Sequence, residues 1–166
     1  MNNRAMLIGA IRAGKTTLTL ALLGKKIEPH KTQSLNFYDW IIDTPGEYSE
    51  NPLYYKSIMA TSLEVTHVLF IQDATKEKSI FPPGFSLGIN KLIIGVVTKC
   101  DHPEANVKRA VEYLKRAIIS GPIVLTSSYS MIGIKELKEL IKCSSIEEMR
   151  EISKNTLQND ILIFHN

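Results

Sequence analysis

The residues of this chain with the most chemistry to offer are Gly9-Ala10-Ile11-Arg12-Ala13-Gly14-Lys15-Thr16, followed by Thr17. They fit the pattern G-x-x-x-x-G-K-[ST], whose chemistry is the cradling of a polyphosphate. Backbone N–H groups in such a loop converge on an anion, and the N-terminus of the helix that follows adds partial positive charge. Lys15 reaches the β- and γ-phosphates, and the Thr16 hydroxyl ligates Mg²⁺. Side chains at Gly9 or Gly14 would obstruct the turn or the phosphate.

A second acidic and glycine-bearing stretch, Asp43-Thr44-Pro45-Gly46, begins 28 residues after Lys15 and directly follows an apolar run. An aspartate at the end of a strand beside the phosphate loop can hold Mg²⁺ through water, and Gly46 can offer its N–H to a γ-phosphate. Thr32, in the polar loop after the first helix, is the expected second hydroxyl on the metal, so the metal set is Thr16, Thr32 and Asp43. Glu47 takes the place of a water-positioning glutamine. Its carboxylate can accept a proton from water yet stands near a highly anionic group, so slow intrinsic turnover is expected. Lys15, Thr32, Gly46 and Glu47 form the catalytic set. A branched side chain at Ile11 would crowd an arginine entering from a partner, and Arg12 could place positive charge there in cis.

Thr98-Lys99-Cys100-Asp101 resembles the [NT]-K-x-D base-reading element of the GTPase superfamily. The Asp101 carboxylate can accept two parallel hydrogen bonds from guanine N1–H and its exocyclic amine, which adenine does not supply. The aliphatic stem of Lys99 can lie along the base plane. Thr98 stands in place of asparagine and is expected to lose the amide that braces base and phosphate loop, which leaves GTP and ATP both open. Ser127-Ser128, after the last core strand, fit a backbone contact to the base.

These residues need elements to hold them. Apolar runs at residues 4–8, 68–71, 92–97 and 123–125 read as strands buried on both faces, the mark of a parallel sheet. Residues 35–43 read as a tight hairpin that delivers Asp43 to a strand end. Helices are expected over 17–23 with Gly24 at the C-terminal end, over 53–63, over 103–118, and from Gly133 with Ile134, Leu137, Leu140 and Ile141 facing inward. Pro82, Pro83 and Gly84 argue for a loop between residues 72 and 91, where Phe81 and Phe85 serve either local packing or a partner surface. The fold class is a three-layer α/β domain, with a mostly parallel sheet of about six strands and one antiparallel edge. Ligand is expected at the carboxyl ends of the strands.

At 166 residues the chain suits one domain with its own core. Its net charge of +3 is too mild to argue for nucleic acid, and no run approaches the length of a bilayer span. Cys100 and Cys143 make no disulfide framework, so a reduced, cytoplasmic setting is expected, and the N-terminus does not read as a secretory signal. His30, His67, His102 and His165 are scattered, with no ligand spacing.

Taken together, the stretches 9–17, Lys31-Thr32-Gln33, Phe37-Tyr38-Asp39, 41–48, Gln72-Asp73-Ala74-Thr75 and 80–85 resemble the EutP/PduV family, named for ethanolamine and propanediol utilisation in bacteria. The resemblance spans roughly residues 4–142. It implies a Ras-like P-loop fold, nucleotide as ligand, and a role near catabolic microcompartments, with a shell or enzyme component as partner. Members have been described as GTPase-like and as linked to acetate kinase activity. Three functions follow as alternatives: Mg²⁺-dependent hydrolysis of GTP or ATP, phosphoryl transfer between ATP and acetate, and a non-catalytic docking module. Residues 1–142 form the expected nucleotide domain and 143–166 an extension, packed on it or used for docking. Ser145 and Glu148 read as a capping box at the start of a helix there, followed by an apolar run at 161–164.

Overall fold

A glycine or a polar residue ends each apolar run, and the runs assemble into one sheet. In the computed structural model, residues 3–26, 35–155 and 160–166 are described. The strands are β1 (Ala5–Gly9), β2 (Asn36–Tyr38), β3 (Ile41–Asp43), β4 (His67–Asp73), β5 (Leu92–Thr98), β6 (Gly121–Leu125) and β7 (Leu162–His165). The helices are α1 (Lys15–Leu23), α2 (Glu47–Glu50), α3 (Tyr55–Ser62), α4 (Val107–Ala117), α5 (Ile134–Ile141) and α6 (Ile146–Asn155).

The sheet order is β2-β3-β1-β4-β5-β6-β7. The five inner strands are mutually parallel, so their carboxyl ends share one edge. Alternate residues serve opposite faces: Ala5 and Leu7 pack with α1, α5 and α6, while Met6 and Ile8 pack with α3 and α4, giving three layers. This is the fold of an α/β P-loop NTPase.

The sheet differs from expectation in strand number and edges. It has seven strands rather than six, because the late apolar run becomes β7, antiparallel to β6 from Gly121 opposite His165 to Val124 opposite Leu162. Both edges are therefore antiparallel, the other being the β2–β3 hairpin, whose turn places Asp39 at φ 45°. Before β7, Ser145 Oγ accepts the Glu148 N–H at 3.2 Å, and Glu148 returns a carboxylate to the N–H of Ser144 rather than Ser145. Residues 103–105 stay outside α4, which starts where the Asn106 side chain accepts the Arg109 N–H.

Gly24 ends α1 as expected, in the left-handed conformation that lets its N–H cap the last turn. Phe81 and Phe85 turn toward Phe70 of β4, with ring centroids 4.9 and 5.9 Å away, and Phe81 is buried. Local packing accounts for both rings, and the partner-surface reading of that loop lacks its aromatic anchors.

Candidate functional site

Parallel strands end where their loops begin, so each chemical group identified in the sequence arrives at the same edge. The loop after β1 carries Ala10 to Gly14, β3 ends on Asp43, β4 on Asp73, β5 on Thr98, and β6 leads into Thr126 to Ser128. Between them lies a cavity of about 830 Å³ whose lining includes Ile11, Arg12, Gly14, Lys15, Thr16, Thr17 and Gly46 at one end. Thr98, Lys99, Asp101, Ser127 and Ser128 line the other. Gly9, Ala10, Ala13 and Asp43 are not among the residues that line the cavity. Glu47 is exposed in the first turn of α2, outside the lining. Thr32 lies outside the described residues.

At the first end, Lys15 is 5% exposed and its Nζ donates to the Ala10 carbonyl at 2.7 Å. Burial penalises its charge more than nearby Asp43 and Glu50 favour it, which lowers its pKa to about 8. Thr16 Oγ1 donates to Asp43 Oδ2 at 2.6 Å, with the carboxylate fully buried at the end of β3. Hydroxyl and carboxylate oxygens are hard donors, so this pair fits a divalent cation such as Mg²⁺ that keeps waters and completes its shell from phosphate oxygens. No group of three or more His, Cys, Asp and Glu side chains suited to a metal occurs among the described residues.

The glycines earn their places by different routes. A Cβ on Gly9 would lie 2.8 Å from the Ile71 carbonyl oxygen of β4, so that glycine serves strand pairing. Gly14 instead holds φ 96°, the turn into α1. A Cβ on Gly46 would sit 2.4 Å from the backbone nitrogen of Ile11, so this residue presses directly on the phosphate loop. Ser49, one turn later, accepts the Gly9 N–H at 3.1 Å, and Thr44 donates to the Leu7 carbonyl.

At the second end, Thr98 departs from expectation. Its hydroxyl donates to the Ala13 carbonyl at 2.6 Å, so the brace to the phosphate loop survives the replacement of asparagine. Lys99 reaches across to donate to the Arg12 carbonyl at 3.1 Å and forms an ion pair with Asp73 at 2.7 Å. Arg12 and Lys99, whose contact joins the two ends, both adopt left-handed backbone, at φ 64° and 60°. Strain of this kind gathers where a surrounding network enforces a geometry.

Burial pushes the Asp73 carboxyl up, but hydrogen bonds from Lys99 and Thr75 outweigh it and hold the group below the ordinary carboxylate range. Asp101 is exposed. Ser130 Oγ donates to its Oδ2 at 2.5 Å, and this bond, with help from Ser127, also lowers its pKa.

Thr75, His102, Glu104 and Tyr129 line the cavity too, and Asp73 and Ser130 stand beside it on Lys99 and Asp101, although the sequence assigns none of them a role at the site. Asp73-Ala74-Thr75 carries a usable signal: an aspartate at a strand end with a threonine two residues on is an Asx turn, and Asp73 Oδ1 does accept from the Thr75 N–H at 2.8 Å. Ser49 and Ser130 carry none. Of the histidines, His102 lines the cavity and His67 is buried in the core, where loss of hydration holds its pKa down at about 4.

The fold and the loop at Lys15 define an α/β P-loop protein with one composite hollow at the carboxyl edge of its sheet. The chain belongs to the ethanolamine utilisation and propanediol utilisation family, PduV-EutP, whose pattern matches residues 2–143. It is 34% identical over 134 residues to the propanediol utilization protein PduV of Citrobacter freundii, covering 81% of this chain and 89% of that one. Over 155 residues it is 30% identical to the Escherichia coli protein named probable acetate kinase EutP, covering 92% of this chain and 96% of the relative. The Salmonella typhimurium protein of the same name is 32% identical over 147 residues, with 87% and 92% covered. No described helix is long and apolar enough to cross a membrane.

Proposed function

We propose that this chain binds a purine nucleoside triphosphate with Mg²⁺ and slowly transfers its γ-phosphoryl group to water, with guanine as the preferred base, within ethanolamine or propanediol utilisation. The observation that carries this reading is that a buried ammonium, Lys15, and an exposed carboxylate, Asp101, open into the same cavity. One suits a phosphate tail and the other the donor edge of guanine.

Phosphoryl transfer asks a protein chiefly to position groups and neutralise charge. Lys15 exchanges the Ala10 carbonyl for a phosphate oxygen, which relieves the penalty of its burial. The N-terminus of α1 faces the same tail with its N–H groups. Thr16 and Asp43 would hold Mg²⁺, which supplies neutralisation of the charge that develops on the phosphate oxygens. Gly46, packed against Ile11, stands on the cavity wall where its N–H would meet the γ-phosphate. Glu47, exposed at the start of α2 directly after Gly46, would set its carboxylate against an anionic tail, which fits slow turnover.

A second reading, transfer of the phosphoryl group to a small carboxylate, draws support from the name shared by the Escherichia coli and Salmonella relatives. The Arg12 guanidinium on the cavity wall suits such an acceptor. Incubation with GTP or ATP and Mg²⁺, with and without acetate, tests both readings through separation of inorganic phosphate from acetyl phosphate. Slow phosphate release from GTP in excess of ATP is expected. Acetyl phosphate as the main product would favour the second reading. Tight nucleotide uptake with neither product would leave a binding module.

A further inference from the structure

The loop between β6 and α5 does more than lead chain from strand to helix. It closes on itself: the Ser127 N–H donates to the Ile132 carbonyl at 3.0 Å and the Ser130 N–H to Ser127 Oγ at 3.3 Å. Met131 and Gly133 take left-handed backbone, at φ 61° and 74°. A Cβ on Gly133 would lie 2.2 Å from the Leu125 carbonyl oxygen, which pins the loop to the strand end. Ser130 Oγ then ties the loop to Asp101, on the connection after β5.

Tyr129 sits at the tip of this braced loop, 71% exposed, and lines the cavity. Exposed apolar side chains are ordinary when scattered, as Leu53, Leu63 and Leu87 are here, and none of those three lines the cavity. Tyr129 differs in position: it lines the same cavity as Asp101, whose carboxylate its neighbour Ser130 holds. Among the described residues no aromatic ring packs on it. Lys99, which lines the same hollow, has its ammonium committed to Asp73 and the Arg12 carbonyl, so it contributes its stem.

We propose that Tyr129 is a stacking wall for the heterocyclic base, carried to the cavity rim by a loop that Ser130 fastens to Asp101. The inference rests on the reading of the cavity as a nucleotide site. A ring of this kind tolerates any base, because every base has a π-face. Tyr129 therefore adds affinity, while Asp101 supplies the choice of base.

Calorimetric titration of GDP, IDP and inorganic tripolyphosphate into wild type, Tyr129→Ala and Tyr129→Phe tests this. IDP lacks the exocyclic amine that Asp101 would accept from, and tripolyphosphate lacks a base altogether. Tyr129→Ala is expected to weaken GDP and IDP alike by about tenfold, leave tripolyphosphate unchanged and melt as the wild type does. Tyr129→Phe is expected to bind as wild type. GDP affinity unchanged in Tyr129→Ala, an equal loss for tripolyphosphate, or a Phe variant as weak as Ala would overturn the inference while leaving the nucleotide reading standing. Wild-type protein that takes up none of the three ligands would overturn both.

Discussion

At the Lys15 end of the cavity two opposite charges are withdrawn from water, Lys15 at 5% exposed and Asp43 with no exposed surface, while Arg12 at the loop tip stands out in solvent. At the Asp101 end, the carboxylate and Tyr129 stand in solvent, held by serine hydroxyls and a self-closed loop. A buried charge costs free energy until a partner arrives, so a ligand that supplies one binds tightly. An exposed charge loses hydration only as its ligand binds, so it adds less affinity and more choice. One end is built to grip and the other to select.

Substitutions can break this contrast, beginning with the largest effect. Gly46→Ala drives a methyl group into the Ile11 backbone and is expected to cost about 3 kcal/mol of stability, read by urea denaturation. A stable variant would mean that α2 does not bear on the phosphate loop. Asp101→Ala is expected to weaken GDP by about 100-fold through loss of two charge-assisted hydrogen bonds, and to leave tripolyphosphate unaffected in the same titrations. A loss for both ligands would merge the two ends. Thr98→Val removes the hydroxyl that binds the Ala13 carbonyl and so touches both ends at once. It is expected to cost about 1 to 2 kcal/mol of stability and to weaken both ligands a few-fold. An effect confined to GDP would place Thr98 with the selecting end alone.

The gripping end was legible because a strand, a glycine-bearing loop and a helix must follow one another in sequence for the backbone to form that nest. Gly9 to Thr17 could be read for that reason. Asp43 was legible because an apolar run ends on it. The opposite end depends on contacts between distant segments, such as Thr98 with Ala13 and Ser130 with Asp101, and no local periodicity announces them. The expected loss of a brace at Thr98 failed on this point: chemistry alone showed a missing amide, while geometry gave a hydroxyl within 2.6 Å of a carbonyl. The seventh strand was visible as an apolar run, but its pairing with β6 depends on α6, which carries the chain back to the sheet edge.

The central claim is that the buried Lys15 ammonium grips a phosphate tail, and its pH dependence tests it most directly. Burial lowers its folded pKa to about 8 from the ordinary lysine value of 10.5. The ligand-free fold should therefore gain stability as pH rises from about 8 toward 10.5, where the unfolded chain binds more protons. Binding should run the other way, since only the ammonium attracts phosphate. Calorimetric titration of GTP with Mg²⁺ from about pH 7 to about pH 9, below the ionisation of guanine N1–H, should give an affinity that is level below about pH 8 and falls above it, by at most about tenfold per pH unit for one proton. Lys15→Arg should flatten the fall, and Lys15→Ala should abolish uptake. Equal affinity in wild type and Lys15→Ala at every pH would contradict the account.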